Sequence, residues 1–128
     1  MSDDPTYTLD EARRLVPQIR GTLLQLALER RRADDSHAAL HRRLRSEPDD
    51  PQVREQLEAS TADLRAGVRA LLEHLESLGV MVRDLDAGLV DIPTLRDGER
   101  AWLCWRLADP DLGWWHTTSE GFTSRRPL

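Results

Sequence analysis

The sequence predicts an α+β protein, mainly α, in which a long antiparallel helical hairpin resembling a coiled coil is followed by a small C-terminal antiparallel β-sheet cap. Two observations predict this class. Apolar residues recur at alternating steps of four and three from residue 12 to 44 and again from 53 to 78. After Gly79 the apolar period changes to two, which indicates strands. The 128 residues fit a single domain, with a hairpin over 8–79 and a β cap with its tail over 80–128.

The first helix is expected to begin at Thr8. Thr8 and Glu11 have the spacing of a capping box, in which each side chain binds the backbone N–H of the other residue. Pro17 lacks an N–H, so the helix should kink or restart near it. The predicted seam of this helix is Ala12, Val16, Ile19, Leu23, Leu26, Arg30, Ala33, His37, Leu40 and Leu44.

The second helix is expected to begin at Pro51, with Asp50 as its N-cap and Gly79 as its C-terminal cap. When the two helices are paired antiparallel, one register matches both seams throughout and places Leu26 beside Leu71. The predicted seam of this helix is Val53, Leu57, Thr61, Leu64, Val68, Leu71, Leu75 and Leu78.

A two-helix hairpin buries only one seam on each helix, and the C-terminal residues can cover only the end near Ile19 and Leu78. We therefore expect the chain to self-associate, as a homodimer that forms a four-helix bundle.

The C-terminal third predicts four strands and a polar tail over 117–128 in which Phe122 is the one large anchor. Asp97-Gly98 is a tight-turn signal between the second and third strands. The predicted strands are Val80–Arg83, Leu89–Ile92 ended by Pro93, Ala101–Leu107, and Leu112–His116.

Composition excludes several classes of partner. The net charge of −5 gives no overall attraction to nucleic acid, and the arginines at 30–32 and 42–45 are interrupted by Asp34 and Asp35. These arginines are expected to form a solvated, salt-bridged helix face. No apolar run could span a bilayer, so no membrane partner is expected. A lone cysteine fits a reducing cytoplasm.

Cys104 and His116 are candidate metal ligands whose proximity depends on strand register. A four-residue turn pairs Leu107 with Leu112 and places His116 opposite Leu103, whereas a three-residue turn places His116 opposite Cys104. Two ligands are too few for structural zinc, so an aspartate would have to complete the set. The structural alternative is a buried Cys104 and a His116 bonded to a backbone carbonyl.

Three aspartates near Gly88 could form a carboxylate cluster for a hard cation or a ligand. Alternatively they cap turns around that glycine. The set of candidate ligand-binding residues is His116, Asp91, Asp86, Asp84, Arg106 and Trp105.

His37 and His41 are four residues apart on one helix face, and with Asp34 they could present three metal ligands. Ala38 occupies the position of the catalytic glutamate in a metalloprotease motif. The alternative is that His37 is a polar seam residue opposite Thr61 or Ser60.

A distinctive block of residues lies in the C-terminal third of the chain. It consists of Asp86, Gly88 to Asp91, Pro93, Gly98, Leu103 to Trp105, Trp115-His116, Gly121-Phe122 and Arg125 to Pro127. This block resembles the bacterial family known as domain of unknown function 2203. Nearly the whole chain shares the resemblance, which implies the same element boundaries and no particular activity, cofactor or ligand. The chain departs from the family pattern at Ile92 and at Ala108-Asp109-Pro110.

The function favoured by the sequence is a non-enzymatic cytoplasmic interaction or scaffold module that self-associates through its hairpin, with no cofactor. The alternative is a small-ligand or divalent-metal site in the β cap, which could belong to an enzyme. No catalytic residue is assigned.

Overall fold

The computed structural model describes residues 4–128. Within them, two long helices are followed by one antiparallel sheet with strand order β1-β2-β3-β4-β5, which confirms the predicted α+β class. The elements are α1 (Leu9–Ser46), α2 (Pro51–Ser77), β1 (Met81–Asp84), β2 (Leu89–Arg96), β3 (Glu99–Arg106), β4 (Trp114–Thr117), a 3-10 helix (Phe122–Ser124) and β5 (Arg126–Pro127). No helix in this part of the chain is long and apolar enough to cross a membrane.

The chain divides into two compact units. The sheet unit combines the chain before Leu24 with Leu72–Leu128, and it contains the whole sheet. The hairpin unit is Leu24–Leu71, which contains parts of α1 and α2 and the turn that joins them.

Both helix starts are capped as the sequence predicts. Thr8 N–H donates to Glu11 Oε1 at 3.0 Å, and Glu11 N–H donates to Thr8 Oγ1 at 3.2 Å. At the second helix, Gln52 N–H donates to Asp50 Oδ1 at 2.9 Å. These bonds satisfy N–H groups that have no partner inside the helix. α1 runs unbroken through Pro17, so it does not restart there.

Gly79 ends α2 in a Schellman motif. Its N–H donates to the Glu76 carbonyl at 2.8 Å, and Val80 N–H donates to the Leu75 carbonyl at 3.1 Å. Gly79 has a φ of +78°, and a Cβ there would lie 2.9 Å from Pro5 Cγ. Only glycine fits this position without strain.

The helix register can be read within the hairpin unit at His37. Its Nε2 lies 3.1 Å from Ser60 Oγ and 3.5 Å from Thr61 Oγ1, which confirms its predicted place in the seam. The apolar seam of this unit is only partly covered: Leu26 and Val53 are buried. The half-buried seam residues are Ala33, Leu40, Leu44, Leu57, Leu64, Val68 and Leu71.

β2 continues past Pro93 to Arg96, so the prediction that the proline ends the strand is wrong. The Pro93 carbonyl accepts a bond from Tyr7 N–H at 2.9 Å, on the side away from β3. In an antiparallel ladder the N and carbonyl of one residue face the same way. The missing N–H of Pro93 therefore costs β2 no bond to β3. The predicted turn at Asp97-Gly98 is confirmed, with φ values of 53° and 81°.

The β3–β4 register matches neither alternative derived from the sequence. Trp102 pairs with His116, and Cys104 pairs with Trp114. The connection is longer than expected because Leu112 is buried in the core of the sheet unit instead of extending β4. His116 consequently lies diagonal to Cys104 on the same face of the sheet.

The C-terminal tail is more structured than its polar composition suggests. β5 pairs with β4 through Arg126 and Trp115, and Leu128 N–H donates to the Gly113 carbonyl at 2.9 Å. Two residues are too short for an alternating pattern to be visible, so the sequence does not predict this strand.

Candidate functional site

Three adjacent strands bring Asp91, Cys104 and His116 together on one face of the sheet. Asp91 in β2 pairs with Cys104 in β3, and His116 in β4 occupies the diagonal position. Their relative exposures are only 2%, 1% and 1%. One ligand atom from each side chain lies within 4.8 Å of the other two. The arrangement is therefore a buried oxygen, sulfur and nitrogen cluster.

Both oxygens of the Asp91 carboxylate have polar neighbours. Oδ1 lies 2.9 Å from His116 Nε2, and Oδ2 accepts a hydrogen bond of 2.9 Å from Arg83 Nε. Arg83 reaches this buried carboxylate from a position that is 43% exposed. The guanidinium fixes the carboxylate plane while its own charge stays partly hydrated.

The imidazole of His116 lies between two acceptors. Nδ1 lies 2.8 Å from the Thr117 carbonyl oxygen, which can only accept, so Nδ1 carries a hydrogen. In neutral histidine Nε2 then holds a lone pair, and this lone pair faces the Asp91 carboxylate. Two facing acceptors require a proton or a cation between them. The contact is therefore either an imidazolium–carboxylate ion pair, with a proton between the two atoms, or a pair of ligands to a bound cation.

Cys104 is a thiol at neutral pH. Burial, followed by the negative charge of Asp91, raises the pKa of Cys104 to about 11, and the nearby Arg125 guanidinium only partly opposes this. A catalytic nucleophile needs a lowered pKa or an adjacent free base. Both ring nitrogens of His116 are already engaged. These contacts do not fit a cysteine–histidine nucleophile.

A second polar cluster lies next to Cys104. Arg125 donates to Asp109 at 2.8 and 3.4 Å, and Arg106 Nε donates to the same carboxylate at 3.2 Å. Burial raises the pKa of Asp109, but the hydrogen bonds from Arg125 and Arg106 outweigh it, so the net pKa lies below its ordinary value. Arg125 also stacks over Trp114 and Phe122, with its guanidinium carbon 4.6 and 4.4 Å from the ring centroids.

Neither Asp109 nor Arg125 is among the site residues predicted from the sequence. Asp109 belongs to a turn and Arg125 to the polar tail, where it enters only as part of the block that carries the family resemblance. The signal that could have found them is the aromatic anchor Phe122, which indicates that the tail folds back onto the protein.

Four other candidate residues lie outside the cluster. Asp84 Oδ1 accepts from Ala87 N–H at 3.1 Å and so caps the turn before Gly88, as the capping alternative describes. Asp86 is exposed in the same turn. Trp105 is fully buried on the opposite face of β3, with Arg20 stacked 5.1 Å from its ring centroid. Arg106 bonds Asp109 instead.

The histidines of α1 do not form a ligand group. His37 bonds Ser60 across the seam, and His41 and Asp34 are exposed. Among residues 4–128, the one group of three metal-ligating side chains within mutual reach is Asp91, Cys104 and His116.

Comparison with curated proteins and with solved structures gives no match. A family model described as "Uncharacterized conserved protein (DUF2203)" matches residues 5–128. Because the match extends over the described helices and every strand of the sheet, the chain belongs to the DUF2203 family.

Proposed function

We propose that this protein binds one divalent transition-metal ion of the zinc class through Asp91, Cys104 and His116. The observation that carries the proposal is a pair of facing acceptors: with Nδ1–H of His116 directed at the Thr117 carbonyl, its Nε2 presents a lone pair to the buried carboxylate of Asp91. A metal ion between them would satisfy both atoms.

The ligand types favour zinc over hard cations. Calcium and magnesium prefer oxygen ligands, whereas a mixed set of oxygen, sulfur and nitrogen suits zinc. Ligand atoms around tetrahedral zinc are roughly 3.3–3.8 Å apart, as bond lengths of about 2.0–2.3 Å require. The three atoms here lie within 4.8 Å of one another, and Asp91 Oδ1 is 2.9 Å from His116 Nε2, so metal binding would require this pair to open by roughly half an ångström through side-chain rotation. Three protein ligands leave a fourth position for water or a small ligand.

The surrounding bonds resemble the outer shell of a metal centre. The Thr117 carbonyl orients the ring of His116 and raises the basicity of its Nε2, and the Arg83 guanidinium fixes the orientation of the Asp91 carboxylate. Binding must also remove the thiol proton of Cys104, which a coordinated zinc ion does. Metal uptake is therefore expected to release protons and to weaken at low pH.

Metal content and cobalt titration test the proposal. Purified protein should contain about one equivalent of zinc by elemental analysis, and protein stripped with a chelator should bind cobalt with a sulfur-to-cobalt charge-transfer band. Cys104→Ala should remove the band, and His116→Gln should abolish stoichiometric binding. Asp84→Asn is the matched control, because this carboxylate lies in the same sheet but outside the cluster. If stripped wild type binds neither zinc nor cobalt, the Asp91–His116 contact is a proton-bridged ion pair and the proposal is wrong.

We also propose self-association through the hairpin unit, as a cytoplasmic homodimer that acts as a non-enzymatic interaction module. Its support is the uncovered apolar surface: most seam residues of this unit are half-buried, and Leu24 and Leu28 are 51% and 48% exposed. A second hairpin would bury these residues. The buried free thiol of Cys104 fits a reducing compartment.

Sedimentation at micromolar concentration tests this second candidate. Wild type should sediment as a dimer, and the double variant Leu24→Gln with Leu28→Gln should shift toward monomer without loss of helix. Leu95→Gln is the control, since Leu95 is 55% exposed but belongs to the sheet unit. A wild-type monomer throughout the micromolar range would exclude the dimer.

A further inference from the structure

The turn of the hairpin unit forms a basic cup of about 530 Å³. It lies between the last turns of α1, the connection after Ser46 and the first turn of α2. Three guanidinium groups and one imidazole contribute to it, and no carboxylate does. The residues that line it are Ala38, His41, Arg42, Leu44, Arg45, Pro48 and Arg54.

The arginines of the cup have few partners within the protein. Arg54 Nη2 donates to the Pro48 carbonyl at 2.8 Å, which orients this guanidinium. The side chains of Arg42 and Arg45 form no hydrogen bond or ion pair with any residue in 4–128. The nearby carboxylate of Asp50 accepts from Gln52 N–H and caps α2 instead. The cup therefore concentrates positive charge that no direct ion pair within residues 4–128 neutralises.

Repulsion among clustered guanidinium groups is relieved by an anion that can bond several of them at once. Phosphate oxygens match the planar fork of arginine, and each such charge-assisted bond is stronger than a neutral one. The volume of the cup falls in the range of small-molecule sites. Its apolar lining is aliphatic, through Leu44, Ala38 and Pro48, and it includes no phenylalanine, tyrosine or tryptophan on which a nucleobase could stack.

We propose that this cup binds a soluble small molecule carrying adjacent phosphate groups, such as a diphosphate. A long nucleic acid or a membrane surface would need a continuous basic face, and the exposed Asp34 and Asp35 interrupt the arginines of α1. The sequence shows Arg42 and Arg45 one turn apart, but the folded hairpin adds Arg54 from the second helix. The proposal is independent of the metal site.

Calorimetric titration with inorganic pyrophosphate at constant ionic strength tests this inference. Wild type should bind one pyrophosphate per chain. Arg45→Gln and Arg54→Gln should each weaken binding by about tenfold or more, the change expected when one charge-assisted hydrogen bond is lost. Arg43→Gln is the matched control, because Arg43 carries the same charge in the same helix turn but does not line the cup. Its affinity should stay within about twofold of wild type.

Circular dichroism of each variant ensures that lost binding does not reflect lost helix. Equal weakening by Arg43→Gln and Arg45→Gln would show diffuse charge attraction and overturn the proposal, as would no heat of binding at millimolar pyrophosphate. Parallel titrations with single-stranded DNA and with vesicles of phosphatidic acid and phosphatidylcholine measure whether the protein binds the phosphates of nucleic acid or of lipid. Tighter binding to either of them than to pyrophosphate would also overturn it.

Discussion

The sheet unit and the hairpin unit differ in how many of their side chains they bury. The sheet unit encloses a core that includes Trp105, Ile92 and Leu112, and it buries its charged chemistry at Asp91 and Asp109. The hairpin unit buries only two apolar residues and leaves its arginines exposed. Burial fixes side-chain positions closely, which the proposed metal site would require. An open helical surface instead suits association and binding of ions, where the partner supplies the missing contacts.

The largest expected change in the free energy of unfolding comes from truncating one apolar residue in each unit. Ile92→Ala should lower the free energy of unfolding by about 2–5 kcal/mol, since Ile92 is fully buried and a cavity would remain. Leu64→Ala, at a half-buried seam position, should cost about 1 kcal/mol because less apolar surface is removed from water. Urea unfolding followed by tryptophan fluorescence and circular dichroism measures both. Equal losses would mean that a partner covers the hairpin seam in solution.

Gly79→Ala should cost about 2 kcal/mol, because the alanine would adopt a φ of +78° and its Cβ would press on Pro5. Gly21→Ala is the control: this glycine lies inside α1 with nothing within 4 Å of the added Cβ. It should raise stability by about 0.5–1 kcal/mol. Thermal unfolding should show that Gly79→Ala is less stable than wild type and that Gly21→Ala is more stable. If Gly79→Ala were as stable as wild type, the result would contradict the cap geometry.

Acid should destabilise the sheet unit in part through Asp109. Its pKa is lowered in the folded state, so its contribution is present above the unfolded value of about 3.9 and is lost as the pH falls through the folded value. Asp109→Asn should cost about 1–2 kcal/mol at pH 7, through weaker bonds to Arg125 and Arg106. The variant should also lose less stability than wild type between pH 5 and about pH 2. Urea titrations across this range measure the slopes, and parallel curves would refute the assignment.

Gly67→Ala should give the smallest effect, a gain of about 0.5–1 kcal/mol in helix stability. The added Cβ would lie 2.9 Å from Glu29 Oε2, which is the movable end of an exposed side chain. We expect the added methyl group to be tolerated, because most seam residues of the hairpin unit are only half-buried. Thermal unfolding measures the gain, and a loss above about 1 kcal/mol would show that Glu29 is held in place.

The helical elements were predictable because their signals are local. Thr8 with Glu11, Asp50 and Gly79 mark the helix ends through bonds to residues at most five positions away. The seam register followed from two matched periodicities, and His37 has the partners that this register requires.

The sheet was less predictable because its register depends on contacts that are distant in sequence. The β3–β4 pairing depends on how Leu112 and the turn at Asp109 pack, and Arg125, sixteen residues after Asp109, holds that turn. Asp91, Cys104 and His116 could be named from residue type alone. Which aspartate joins the histidine could not be predicted, because it depends on strand order. Asp91 lies in β2 beside β3, whereas Asp84 ends β1 and caps a turn.

The contacts of Tyr7 restrict the order in which this chain can fold while it is being synthesised. The Tyr7 hydroxyl bonds the Leu78 carbonyl at 2.6 Å, and the Tyr7 carbonyl accepts from Thr94 Oγ1, a residue 87 positions later, at 2.6 Å. On a translating ribosome the turn joining α1 and α2 emerges well before β2 exists. The nascent helices can therefore pair early, while the segment before α1 cannot complete these contacts until Thr94 has been synthesised.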